Sequence, residues 1–196
     1  MILRPSAFLL GLLLALPVPA AAQTASPDVN ALAVIGRVSV TEALDAYRSV
    51  VAGLVADATT PELAASALAG IVEASRALTE ALAASGAPEE EIAAALTAIL
   101  SETATSVSGL QSLAPPELVA LTIAQVAVSV VETAAVTLSA PQPALAAAIS
   151  AAVDPVASAL SPEAVAALDT AVSAVDTGSY SGVTDTLSSA VSASAN

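Results

Sequence analysis

Carboxylates are the only reactive side chains this sequence supplies in number. There are 18 Asp and Glu against four arginines, with no lysine, histidine, cysteine or tryptophan. Two carboxylates held close together can hydrolyse a glycosidic bond, one as acid and the other as base or nucleophile. Glu73 with Glu80, and Asp154 with Glu163, are the candidate pairs. A sugar site wants aromatic platforms, however, and past Phe8 the chain offers only Tyr47 and Tyr180. Arg76 stands between Glu73 and Glu80 at i+3 and i+4, the spacing of an ion-pair ladder on a solvated helix face. That ladder is the expected role of the pair.

The run Glu89-Glu90-Glu91 offers oxygens to a hard cation such as Ca²⁺. Consecutive helical residues point about 100° apart, so three in a row do not converge on one ion. Glutamates opening a helix stabilise its positive end instead. No Asp-x-Asp-x-Asp-Gly loop occurs. The missing residue types remove the usual general base, the thiol nucleophile, the Schiff-base amine, every His/Cys zinc site and the Ser-His-Asp triad. The eight glycines form no phosphate-binding loop. No catalytic, cofactor-binding or metal-binding residue is therefore expected, and the chain reads as non-enzymatic.

The charge balance narrows the partners. The formal net charge is −14. Binding nucleic acid needs cations to displace the counterions of phosphate, and anionic lipid headgroups need the same. Neither is an expected partner. Copies of the chain itself, another protein or an apolar surface remain.

The first residues look like an address. Arg4 precedes an apolar run, Ala7 to Leu16, then Pro17-Val18-Pro19 and Ala20-Ala21-Ala22. This is the order of a secretory signal peptide, with cleavage expected after Ala22 and Gln23 left first. An apolar run of about ten residues is too short to cross roughly 30 Å of hydrocarbon. There is no cysteine for a lipid anchor and no apolar tail after Ser188. Export to a periplasm or the medium is the expectation. Loss of Arg4 with the leader takes the charge from −14 to −15.

Any site must be carried by helices. Pro61, Pro88, Pro116 and Pro143 recur every 27 or 28 residues, and the first three are followed by Glu62, Glu89 and Glu117. Pro162-Glu163 repeats the device. Proline suits the first helical position, and glutamate there meets the helix dipole. Thr60 and Ser161 are expected N-caps, and Ser39 with Glu42 a capping box. The pattern predicts helices over about 40–58, 61–84, 88–107, 116–138, 143–153, 155–175 with a break near Pro162, and 183–191. Residues 23–38 and 176–182 read as linkers. The domain is then 39–175, followed by a tail, 176–196, holding a short helix. The expected fold is all-α, an up-and-down bundle of about six to seven helices. A tandem repeat is the alternative, but units share little beyond the Pro-Glu starts.

Amphipathic faces support this. Leu68, Ile71, Val72, Leu78 and Leu82 share one face, opposite Glu73, Arg76 and Glu80. Ile92, Leu96, Ile99, Thr103 and Val107 line another. The segment 118–138 differs: it is apolar nearly all round, with a polar stripe of Thr122, Gln125, Ser129 and Glu132. A central helix fits this pattern. A transmembrane span is disfavoured by Glu132 and by the absence of Lys, Arg or Trp after Arg76. The Thr122 to Thr133 spacing of eleven, suggestive of an ice-binding helix, occurs once and does not continue.

Hydrophobic residues make up 56% of the chain but aromatics only 2%. Alanine forms helices readily yet brings one methyl to a core. Such helices must pack closely or find other surfaces to cover. The leading expectation is an exported structural or interaction protein that self-associates or coats a surface. The runner-up is a carrier of apolar molecules such as fatty acyl chains. A hydrolase using carboxylates alone is a distant third.

Overall fold

The computed structural model describes residues 39–194. The expected leader and the 23–38 linker lie outside the described residues. Among the described residues the regular structure is all helical. The helices are α1 Val40–Asp57, α2 Pro61–Ser85, α3 Glu89–Ser108, α4 Pro116–Thr137, α5 Pro143–Val153, α6 Pro162–Thr177 and α7 Val183–Ala193. A 3-10 helix, Asp154–Ala159, follows α5 directly.

The starts follow the sequence signals. The hydroxyls of Ser39, Thr60 and Ser161 accept from the backbone N–H three residues on, in Glu42, Leu63 and Ala164. These bonds satisfy donors the helix itself leaves open. Pro61, Pro116, Pro143 and Pro162 open their helices, while Pro88 sits one position earlier, as the N-cap of α3. Gly86 and Gly178 end α2 and α6 in the left-handed conformation, which favours glycine. Gly178 is also held by space: a Cβ there would meet the backbone of Pro141 at 3.1 Å. One boundary differs from expectation. The break near Pro162 falls where it is expected, but the part before it is a 3-10 helix rather than an α-helix. Pro155 continues α5 as a 3-10 turn, and Pro162 starts α6 afresh. A proline cannot donate to the preceding turn, so the chain does not run from one helix into the next without a break.

Chain direction alternates through α1, α2 and α3. Tyr47 meets Ser75 while Leu54 lies over Gly70, so α1 and α2 run antiparallel. Arg48 meets Glu102 and Val55 lies over Gly109, so α1 and α3 run parallel and side by side. Helix α2 packs chiefly on α1 and α4, and only lightly on its sequence neighbour α3. The lateral order is therefore α1, α2, α4, α3, rather than the sequential ring that short antiparallel turns imply.

Helix α4 explains the departure. It packs against α2, α3, α5, α6, α7 and the 3-10 helix. Val119, Ala120, Ile123, Ala124, Val126, Ala127, Val130, Val131 and Ala134 are buried on its several sides. It is long and apolar enough to cross a membrane, but its apolar surface is largely covered by this chain's own helices. Of the expected polar stripe, Gln125, Ser129 and Glu132 do face outward, whereas Thr122 is buried and donates to the Leu118 carbonyl at 2.9 Å. Thr133 is buried as well, so the Thr122 and Thr133 pair presents no surface array. The outward seam runs instead through Leu118, Leu121, Gln125, Ser129, Glu132 and Val136.

The largest buried polar feature joins α1, α2 and α3. Tyr47 Oη lies 2.8 Å from Ser75 Oγ and 2.7 Å from Thr103 Oγ1. Ser75 gives its only proton to the Ile71 carbonyl. Hence Tyr47 donates to Ser75 and accepts from Thr103, forming a one-way chain that ends on a backbone carbonyl. All three side chains are buried, and burial raises the Tyr47 phenol above its ordinary pKa. Replacing Tyr47→Phe leaves the Thr103 hydroxyl without its acceptor. The expected cost is about 1–3 kcal/mol, seen by circular dichroism as a thermal midpoint lowered by roughly 2–12 °C. Adding Thr103→Val recovers part of the loss; full additivity of the two changes would show that the chain is not coupled.

Candidate functional site

Both arginines among the described residues are engaged by neighbouring carboxylates. Arg76 Nη2 donates to both oxygens of Glu73 at 2.8 and 3.1 Å, and its Nη1 lies 3.6 Å from Glu80. This is the ladder expected from the spacing, on an exposed face of α2. Arg48 donates to Asp45 at 2.9 Å and reaches Glu102 of α3 at 3.8 Å. Exposed pairs of this kind contribute little each. Glu73 and Glu80 thus meet through Arg76, not across an open cleft. Asp154 follows α5, and Glu163 opens α6, where the first turn favours an acid.

The glutamate run at the start of α3 does something the sequence did not signal. Glu89 accepts from the Ser139 backbone N–H at 3.0 Å and from its hydroxyl at 2.9 Å. The carboxylate thereby ties the start of α3 to the loop between α4 and α5, fifty residues on. These bonds hold its pKa below the ordinary carboxylate value. Glu90 and Glu91 are exposed. Among the described residues no three carboxylates cluster closely enough to hold a metal ion.

Tyr180 stands in the loop between α6 and α7. Its hydroxyl is buried without a hydrogen-bond partner. Burial, and next the negative charge of Glu89, raise its pKa. Glu132, on the outward seam of α4, shows the opposite shift to Glu89. Partial burial, and then the charge of Asp185 on α7, raise its pKa. Neither Tyr180 nor the α4–α7 acid pair has a local sequence signal, because the partners are 53 to 91 positions apart. Tyr47 had a partial one: Thr103 lies on an apolar face where a hydroxyl needs a partner.

Clefts open on the surface of the described residues, two of them beside α6 and α4. One, of about 480 Å³, lies along α6 and the loop after it, lined by Asp169, Thr170, Ser173, Ala174, Thr177, Ser179 and Val183. The other, of about 330 Å³, lies at the start of α4 beside the 3-10 helix. Pro116, Val119, Pro155, Val156 and Ala159 give it an apolar lining, with Gln111 and Ser158 as its polar members. Neither cleft holds one of the carboxylate pairs named from the sequence.

The helices, the ion pairs and the clefts together define an acidic all-helical bundle whose clustered polar groups hold its own elements in place. Comparison with known proteins adds no parent: no family model, no curated protein and no solved structure matches the chain.

Two of the shifted glutamates, Glu89 and Glu132, make opposite predictions. The folded-state pKa of Glu89 is depressed. Its stabilisation is present above the ordinary value near 4.5 and is lost as pH falls through the lowered folded value. Glu89→Gln is thus expected to lower the thermal midpoint at pH 7 and to match the parent in strong acid. The folded-state pKa of Glu132 is raised, so its charged form opposes folding. That penalty begins as pH rises past about 4.5 and is complete above the raised folded value. Glu132→Gln is expected to raise the midpoint at pH 7 and to leave it unchanged well below pH 4.5. Melting curves of the three proteins across pH 2–8 check both signs.

Proposed function

We propose that this chain is an exported, non-enzymatic structural or interaction protein. It acts as an acidic helical bundle that associates with copies of itself, with another protein or with an apolar surface. It uses no cofactor and takes neither nucleic acid nor anionic membrane as partner.

The observation that carries the reading is where the polar side chains go. Tyr47, Ser75 and Thr103 bond one another and a backbone carbonyl between three helices. Glu89 ties a helix start to a distant loop. Arg48 and Arg76 are held by carboxylates of the same chain. Each of these groups maintains shape, and none is left aimed at a reacting atom. Self-association draws no support from the apolar sides of α4, which other helices cover. It draws support from the exposed Val136 and the half-buried Leu118 and Leu121 of the α4 seam. The charge of the surface disfavours polyanions.

A second reading has one observation in its favour. The cleft of Pro116, Val119, Pro155, Val156 and Ala159 is apolar, and about 330 Å³ lies at the small end of ligand sites. A carrier of apolar molecules such as short acyl chains is the function that cleft suits. The carboxylate-only hydrolase has no comparable support, because Glu73 and Glu80 both face Arg76.

One preparation tests these readings. Expressed with its own leader in a bacterial host, the chain is expected in the periplasm or medium, beginning at Gln23 by intact mass. Light scattering on a size-exclusion column is expected to show an assembly whose mass grows with loading concentration. A strict monomer at every concentration counts against self-association. Native mass spectra of the same material carrying a co-purified lipid would favour the carrier instead.

A further inference from the structure

Prolines from two elements line the 330 Å³ cleft. Pro116 opens α4, and Pro155 stands in the first turn of the 3-10 helix that packs against α4. Each ring fixes its own backbone dihedral and carries no N–H. The cleft is therefore stiff at both prolines and offers no backbone donor there. Val119 and Val156 are 1% and 7% exposed, so they form its floor, where the hydrophobic core comes to the surface. Ala159, half-buried, completes the apolar lining. A recess already in shape loses little freedom when it is filled, which favours binding at a small site.

The polar part of the lining selects the head of a ligand. Gln111 and Ser158 are its exposed members. An amide and a hydroxyl both donate and accept, and neither carries charge. None of the lining residues is charged. A carboxylate or an ammonium seated there would give up water without gaining an ion pair. A carboxylate meets a further obstacle, since no lysine or arginine follows Arg76 and the chain carries −14. The head that fits is neutral, with a proton to give and a lone pair to receive. Volume limits the body. The 330 Å³ equals the share of about eleven liquid waters at ~30 Å³ each. A methylene takes about the room of a water molecule, so a chain of about eight carbons with its head fills the cleft.

We propose that this cleft binds neutral single-chain amphiphiles, with an apolar chain of about eight carbons ending in an uncharged hydroxyl or primary amide. The chain lies on Val119, Val156 and Ala159 between the two prolines, and the head meets Gln111 and Ser158. The inference rests on the carrier reading and narrows its ligand to one without a carboxylate.

Calorimetric titration of the purified chain at pH 7 in high salt, with octan-1-ol, octanoate and octylammonium, compares three heads on one chain length. Octan-1-ol is expected to bind one to each chain, and both ions about tenfold more weakly or worse. Ala159→Phe places a ring in the recess and is expected to weaken octan-1-ol binding about tenfold or more, with the helical circular dichroism unchanged. Should that variant lose the parent's helix signal, Ser158→Phe fills the same cleft from an exposed position. Either ion binding as tightly as the alcohol overturns the neutral head, and the inference with it. Octan-1-ol binding that persists unchanged in the filled variant overturns this site and leaves a carrier that binds elsewhere. No binding of any of the three, by calorimetry or by a raised thermal midpoint, overturns the site and the carrier reading together.

Discussion

The structure depends on covering α4 with methyl groups. A helix apolar on nearly every side cannot sit at the edge of a bundle, so the others arrange themselves around it. The side chains available for this are small. Alanines such as Ala43, Ala64, Ala74, Ala95, Ala120, Ala124 and Ala171 are fully buried, and each removes little area from water. Close approach of the helices makes up the difference, as dispersion contacts multiply when backbones come near. Gly70 marks one such approach, where Leu54 already fills the space a Cβ would take. The lateral order α1, α2, α4, α3 follows from this requirement, because surrounding α4 matters more than keeping sequence neighbours adjacent.

Within that packing the polar groups act as ties between elements far apart in the chain. Methyl packing is nondirectional and sets no register. The Tyr47 chain does, since its hydroxyls meet in one relative setting of α1, α2 and α3. Glu89 does the same for the α3 start and the loop before α5. The remaining carboxylates lie mostly on solvated faces, where their mutual repulsion is spread over the surface and screened by salt.

Local signals were legible in the sequence and distant ones were not. Thr60-Pro61-Glu62 and Ser161-Pro162-Glu163 mark helix starts through bonds made within four residues, so reading them needs no tertiary knowledge. The burial of Ile92, Leu96, Ile99 and Val107 followed from spacing alone. Thr122 shows the limit. Its hydroxyl reads as polar, yet it bonds the Leu118 carbonyl one turn back and enters the core as though apolar. Pro155 misled for a related reason, since a 3-10 turn accommodates a proline that an α-helix interior refuses. The Glu89 to Ser139 contact and the unpaired Tyr180 hydroxyl arise only when remote loops meet. The expectation of no dedicated catalytic group came from missing residue types, which composition reports without any fold.

The positions of the two arginines have a further consequence. Arg48 directly follows Tyr47 and Arg76 directly follows Ser75, so each basic residue adjoins a member of the buried hydroxyl chain. Digestive enzymes that cut beside basic side chains must draw several residues of backbone out straight. In residues 39–194 these are the only two places where such an enzyme finds its cue, and at either one it must first pull apart the contact that joins three helices. Resistance to trypsin-like attack would therefore come from the location of two residues, without any disulfide or sugar to shield them.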